Sequence, residues 1–305
     1  MNRILPHASS WVSNVTKRQA GKAETIAGFG LVELMIAMAL GLMVLGAAIA
    51  VFQSNLRSFN ANEGQNRIQE GARAAYEMLS RDIRATGGTA CSTLARPDEE
   101  HSYTTDETNL LTAPITGGAN EFTVLSGDDS SYQVTAATST TVDVKPEATT
   151  NWKLSHAFDV DDKLVLCNAT LMYVVKVTNV DDSSNKLTFT PATPLPIYSD
   201  VAPPATVSAA RFRSARWYLN NGSLYVNRNG TAEAVIPGVT ALNVSYLERN
   251  GTSYTSSPTF LDVVAVRVNL TLRGQKTLGG DVQVDGNNYI TRTTSNVAAI
   301  RSRAP

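Results

Sequence analysis

Residues 29–52 read Phe29-Gly-Leu-Val-Glu33-Leu-Met-Ile-Ala-Met-Ala-Leu-Gly-Leu-Met-Val-Leu-Gly-Ala-Ala-Ile-Ala-Val-Phe52, and Glu33 is the only charge among them. About 20 apolar residues suffice for a helix to cross the hydrocarbon core of a bilayer, so the run is long enough. Arg3, Lys17, Arg18 and Lys22 precede it against the lone acid Glu24, and a polar Asn/Gln/Glu-rich stretch follows. That asymmetry keeps the N-terminal side in the cytoplasm and places the remainder outside. Three processing routes compete. A secretory signal would be cut after the run, where Ala48-Ile49-Ala50 offers a small-x-small site. An anchor would stay uncut, and the third route cuts before Phe29. Glu33 favours the third, because a carboxylate inside a membrane helix costs a few kcal/mol and calls for a partner. A cut between Gly28 and Phe29 creates an α-amino group four residues upstream. That amine, on a neighbouring chain, is the counter-charge Glu33 lacks.

Gly28-Phe29-Gly30-Leu31-Val32-Glu33-Leu34, after a basic leader and before an apolar helix, resembles the type IV prepilin motif. The resemblance implies that a prepilin peptidase cuts after Gly28 and N-methylates Phe29. It also makes Glu33 the fifth-position glutamate of assembly. Gly30 departs from the commoner Thr or Ser, and the 28-residue leader is long for the family.

Past Phe52 the helical period continues. Ile68, Ala72, Ala75, Tyr76, Leu79 and Ile83 form one apolar stripe, and Glu77 and Arg81 stand at i, i+4 in the favourable order. Gly87-Gly88 supplies the stop. One helix from residue 29 to 86, about 85 Å long at 1.5 Å per residue, is expected. Gly41, Gly46, Gly64 and Gly71 each weaken it by about 1 kcal/mol against Ala, unless close packing requires them.

After Gly88 the pattern shifts to short alternating runs between turn residues. Strands are expected at 121–125, 132–136, 141–145, 163–167, 171–177, 187–190, 213–219, 223–227, 242–247, 263–272 and 289–297. Asn220-Asn221-Gly222 and Asn229-Gly230 tolerate the positive φ that hairpin turns need. Residues 91–118 read as a long surface loop, and 191–204 as a proline-rich divider. The fold class is therefore α+β. The expected divisions are a leader over 1–28, a transmembrane half-helix over 29–52, an amphipathic half over 53–88 and a β-rich head over 89–305. Cys91 and Cys167 are the only cysteines, both beyond the apolar run, and export would let them form a disulfide. Trp217-Tyr218-Leu219 with Gly222-Ser223-Leu224-Tyr225, residues 239–246 and 263–272, and terminal Arg301-Ser302-Arg303 resemble PilW-type minor pilins. J-type pseudopilins of type II secretion share much of this pattern.

The formal net charge is −1, and −4 without the leader, which argues against a nucleic-acid partner. Catalytic signatures are missing. His7, His101 and His156 are the only histidines, and none stands beside a marked nucleophile. Asp159, Asp161 and Asp162 lack the glycine and distal glutamate of a calcium loop and read as a solvated turn. Asp128-Asp129 and Asp181-Asp182 read as turns, and Arg301 and Arg303 as a solvated tail. No enzyme activity, cofactor or metal is expected. The resemblance implies a structural minor pilin in the inner membrane with its head in the periplasm, later in a pilus or at its tip. Implied partners are the prepilin peptidase, other minor pilins, the major pilin and a tip adhesin, with twitching motility as the readout. The alternatives are a J-type secretion pseudopilin and a membrane-anchored ligand-binding β-domain.

Overall fold

Helix α1 spans Leu31–Ala85. It is a feature of a computed structural model that describes residues 30–98, 102–148, 151–190, 192–193, 207–277 and 289–303. The leader, Gly28 and Phe29 lie outside the described residues, as does most of the proline-rich 191–204 stretch. Two compact units divide the chain, residues 1–55 and 56–305.

Within the first unit, α1 carries an apolar window of mean hydropathy 2.6, long enough to cross a membrane and 0% buried. Within the second, Ile68, Ala72, Ala75, Leu79 and Ile83 are buried as the stripe requires. Tyr76 sits beside the stripe and donates its hydroxyl to Val297 O at 3.4 Å. The helical glycine at 71 has a packing reason, since a Cβ there would stand 3.2 Å from Leu272 Cδ2 and 3.4 Å from Ile236 Cγ2. The expected Glu77–Arg81 pair does not form. Glu77 accepts from Arg73 at 3.0 Å, and Arg81 turns to Asp129 on the sheet, a partner one helical turn cannot supply. Gly87, at φ +68°, ends the helix and donates to Leu125 O at 2.8 Å.

Twelve strands follow among the described residues: β1 Ile115–Gly117, β2 Glu121–Ala137, β3 Thr141–Val144, β4 Lys163–Cys167, β5 Met172–Asp181, β6 Lys186–Thr190, β7 Ser208–Asn220, β8 Ser223–Arg228, β9 Thr231–Pro237, β10 Val239–Glu248, β11 Val263–Thr277 and β12 Tyr289–Ala299. All their pairings are antiparallel. Strands β10-β11-β12 form one sheet and the other nine form a second. The runs 121–125 and 132–136 belong to one strand, β2, whose register shifts between Gly127 and Ser131. Residues 91–118 are not one loop. They contain β1 and an eight-residue helix α2, Thr105–Thr112, opened by a capping box in which Thr104 Oγ1 accepts from Glu107 N and Glu107 Oε2 from Thr104 N.

The nine-stranded sheet closes on itself. β2 pairs with β3, β3 with β6, β6 with β5, β5 with β4, β4 with β7, and β7 with β2 again. Phe158, Leu164, Leu166, Tyr173, Val177, Leu187 and Phe189 fill this six-stranded ring. Strands β2 and β7 also reach the second core. Phe122, Val124, Ala215 and Trp217 from their other ends join β8, β9 and the three-stranded sheet against α1. A third cluster covers the outside of β4 and β5, where Val165, Cys167, Met172 and Val174 meet Leu110 of α2 and Ala95. This explains why β4 is buried on both faces and reads as an unbroken apolar run.

Candidate functional site: the exposed helix and the clamped head

Every residue from Leu31 to Phe59 is exposed, including eight leucine and methionine side chains between Leu31 and Leu45. Apolar area left in water costs roughly 25 cal/mol per Å², so a face this size calls for lipid or an apolar partner. Glu33 is the acid of the first helical turn. Its Oε2 accepts from Gly30 N at 3.2 Å, the geometry of an N3 glutamate reaching back to the N-cap. The carboxylate thus has a local partner that the sequence reading did not foresee, and it keeps acceptor capacity for a second.

The head half of α1 carries one buried acid, Asp82, whose side chain is 1% exposed. Its Oδ1 accepts from Arg213 Nη2 at 2.6 Å, and its Oδ2 from Trp217 Nε1 at 2.9 Å and Arg228 Nη2 at 3.3 Å. Arg228 also lies over the Trp217 ring, 5.7 Å from its centroid. A carboxylate so placed is held by three donors from β7 and β8, which fixes both rotation and height of the helix on the sheet. Sequence reading missed it. The signal was an Asp three residues after Leu79 and beside Ile83, on an otherwise apolar face.

Two further ties close the region beyond α1. Cys91 and Cys167 form a disulfide with Cα atoms 5.9 Å apart, pinning the segment after the helix to β4. The chain's last described residues return to the helix end, where Arg301 N donates to Arg84 O at 3.3 Å and Ser302 Oγ to Thr86 O at 2.8 Å. Arg303 is not a solvated tail. Its Nη1 donates to Phe260 O at 2.6 Å and its Nη2 to Thr112 O at 3.2 Å, and burial lowers its pKa. Those carbonyls are remote in sequence, so no local pattern announced the contact.

The aspartates read as turns have specific partners. Asp159 and Asp162 pair with Arg211 at 2.8 and 2.7 Å, and Asp161 with Lys176 at 2.6 Å. Asp181 accepts from Ser183 and Ser184 hydroxyls, which with the Ser183 amide hold its pKa down at about 2. Asp129 is held below its ordinary value by the hydrogen bond from Arg81. Among the described residues no group of three metal-ligating side chains converges. A cleft of about 680 Å³ lies between the end of α1, residues 88–93, the β2 register shift and the C-terminal residues.

An apolar N-terminal helix followed by a β-rich domain defines an α+β protein whose helix is long and apolar enough to anchor it in a membrane. The chain matches no protein-family model, and no curated protein sequence is significantly similar to it. Among solved structures, a type IV-like pilin from Thermus thermophilus matches at 12% identity over 47% of this chain and 87% of that one, with a TM-score of 0.23. A likeness so distant leaves function to be argued from the residues.

Proposed function

We propose that this chain is a structural minor pilin of the PilW type, without enzymatic activity. It is cut between Gly28 and Phe29, methylated at Phe29 and assembled through Glu33. One observation carries the reading: the exposed apolar part of α1, residues 31–59, has one carboxylate, Glu33, and it stands in the first turn. In a bilayer that charge is costly, and a new amine on a neighbouring subunit offsets the cost in a way that lipid cannot. The Cys91–Cys167 disulfide supports an oxidising compartment for the head. Within a filament the apolar helix packs among its neighbours, while the head faces outward and meets other minor pilins or an adhesin.

N-terminal sequencing and intact mass of the protein from its native membrane test this. The expected result is a chain starting at Phe29 with one added methyl group. A start after Ala50, or an intact leader, would overturn the reading in favour of a secreted or anchored β-domain. Given a Phe29 start, loss of surface pili and twitching on gene deletion is expected. Loss of protein secretion with normal piliation would instead assign the chain to a secretion pseudopilus.

A further inference from the structure

Three Asn-Gly pairs occur in the chain, at 221–222, 229–230 and 250–251, all of them exposed. Asparagine before glycine carries an intrinsic reaction, because no Cβ on the glycine shields its backbone nitrogen from the neighbouring side-chain amide carbon. The fold treats the three pairs differently. Asn229 is anchored: its Oδ1 accepts from Ser214 N at 2.7 Å and its Nδ2 donates to Phe212 O at 3.0 Å. Gly230 N donates to Asn227 Oδ1 at 2.9 Å, so both reacting groups are held there. At 250–251 the glycine amide closes a turn, with Gly251 N donating to Glu248 O at 3.0 Å. The Asn221 side chain and Gly222 N have no hydrogen-bond partner among the described residues. Space around the pair is open too, since a Cβ at Gly222 would meet nothing within 4 Å.

Asn221 (φ +46°) and Gly222 (φ +69°) join the paired residues Asn220 and Ser223, and both central φ values are positive, as in a type I′ hairpin loop. Turning over the peptide between them gives the type II′ form, with ψ of the first residue at about −120° and φ of the second negative. Glycine adopts that φ freely. At such a ψ the Gly222 nitrogen lies in line with the Asn221 Cβ and comes within reach of its Cγ. The flip breaks no hydrogen bond to the described residues, and it spares the Gly222 carbonyl, which Gly238 N holds at 2.9 Å. The same flip at 229–230 costs the bond from Gly230 N, and closure there also costs the two bonds that hold the Asn229 amide.

We propose that Asn221 is a self-modification site, at which the head deamidates ahead of Asn229 and Asn250. Gly222 N attacks Asn221 Cγ and forms an N–Cγ bond; the nitrogen's proton passes to solvent and the side-chain amide leaves as ammonia. Water then adds to either carbonyl of the cyclic imide and opens it, with no change of oxidation state. The product is aspartate, or isoaspartate, in which the backbone runs through Cγ. Either adds one negative charge at the β7–β8 tip, and isoaspartate also lengthens the loop. The inference rests on the turns alone and does not depend on the pilin reading.

Incubation of the full chain in detergent micelles and mildly alkaline buffer, followed by timed peptide mass spectrometry of the three pairs, tests it. Each hydrogen bond that must open first slows the reaction by a factor of a few to about tenfold. Asn221 should therefore convert about tenfold or more faster than Asn229, and about threefold or more faster than Asn250. Both aspartate and isoaspartate should appear at 221, as opening of an imide requires. In strong urea with reductant the three rates should draw level, because each pair is then an ordinary Asn-Gly. Equal rates in the native chain, or Asn229 or Asn250 converting first, would overturn the assignment. A lead for Asn221 that persisted unchanged in urea would also overturn it, by tracing the difference to sequence and not to the turns. So would an intact Asn221 in the native chain after a period in which urea converts it fully.

Discussion

The Asp82 carboxylate on α1 accepts the Trp217 indole N–H at 2.9 Å, and this one bond joins the helix to the strand that also closes the ring. Arg213, with its side chain only 15% exposed, completes the contact at 2.6 Å. Breaking such a pair by removing one member leaves an uncompensated buried charge, typically worth about 3–5 kcal/mol. Asp82→Ala is therefore expected to lower unfolding free energy by about that amount. Asp82→Asn, which keeps an acceptor for the indole, should cost less. Arg228→Ala should cost less again, because that side chain is about a third exposed and its bond is longer. Urea denaturation of the three variants checks the order. Equal costs would mean that the clamp does not hold the helix.

The disulfide makes a second prediction. Cys91 and Cys167 are 76 residues apart, and closing a loop that long restricts the unfolded chain by about 4 kcal/mol in the entropy model. For a head of this size, reduction should lower Tm by on the order of 10 °C. The Cys91→Ser, Cys167→Ser chain should melt like the reduced wild type. Proteolysis should then cut first within residues 88–98, which the bond holds against β4. A Tm indifferent to reductant would contradict this.

Much of this architecture was legible from period and turn chemistry, and the exceptions have physical reasons. Val266, Val268, Leu270 and Leu272 alternate with Arg267, Asn269 and Thr271 because β11 is the middle strand of a sheet with one face on α1. Asn221-Gly222 and Asn229-Gly230 take up the positive φ expected of them at the β7–β8 and β8–β9 turns. Strand β9 escaped because it is an edge, exposed from Thr231 to Ala234, so burial imposes no alternation on it. Helix α2 is too short for a periodic signal, and only Thr104 and Glu107 marked its start. Ring closure was out of reach, since pairings such as Tyr132 with Ala209 join positions far apart in the chain. Of the candidate site, Glu33 could be read from the sequence as a charge without a partner, whereas Asp82 needed its three remote donors to acquire meaning.

Acid should weaken the head through Asp181. Its folded-state pKa of about 2 lies below the ordinary 3.8, so the unfolded chain binds its proton first as pH falls. The contribution is complete above about pH 5, where Asp181 is ionised in both states, and disappears as pH drops through about 2. Asp129 and Asp182 shift in the same direction, so total acid sensitivity is not specific to one turn. The difference between wild type and Asp181→Asn isolates it. Wild type should lose more of its urea midpoint between pH 5 and pH 2 than the variant does, and parallel profiles would refute the assignment.

Sharing of β2 and β7 predicts that the ring and the helix-bearing core unfold together. Phe158 is fully buried inside the ring, and Phe158→Ala should cost about 3–5 kcal/mol. If the shared strands couple the cores, global amide exchange in β11, which lies in the other core, should accelerate as much as exchange in β4. Hydrogen-exchange mass spectrometry of the two strands decides it. Faster exchange in β4 alone would make the ring a separately folding module.

Glu33 offers two explanations, and one pair of variants separates them. As an N3 residue it bonds the Gly30 amide at 3.2 Å, a capping role that glutamine performs equally well. As a membrane charge it requires a cationic partner, and glutamine cannot provide the ion pair. Glu33→Gln therefore keeps the cap and removes the charge, while Glu33→Ala removes both and costs the helix end about 1 kcal/mol. Under the assembly reading both variants should insert, be cut before Phe29 and hold wild-type helicity to within that end effect. Both should also lose incorporation into filaments by about tenfold or more, equivalent to about 1.4 kcal/mol. Immunogold counts on sheared filaments, normalised to processed protein in the membrane, give the measurement. Wild-type incorporation of Glu33→Gln would leave the carboxylate as a helix cap and remove the charge argument for assembly.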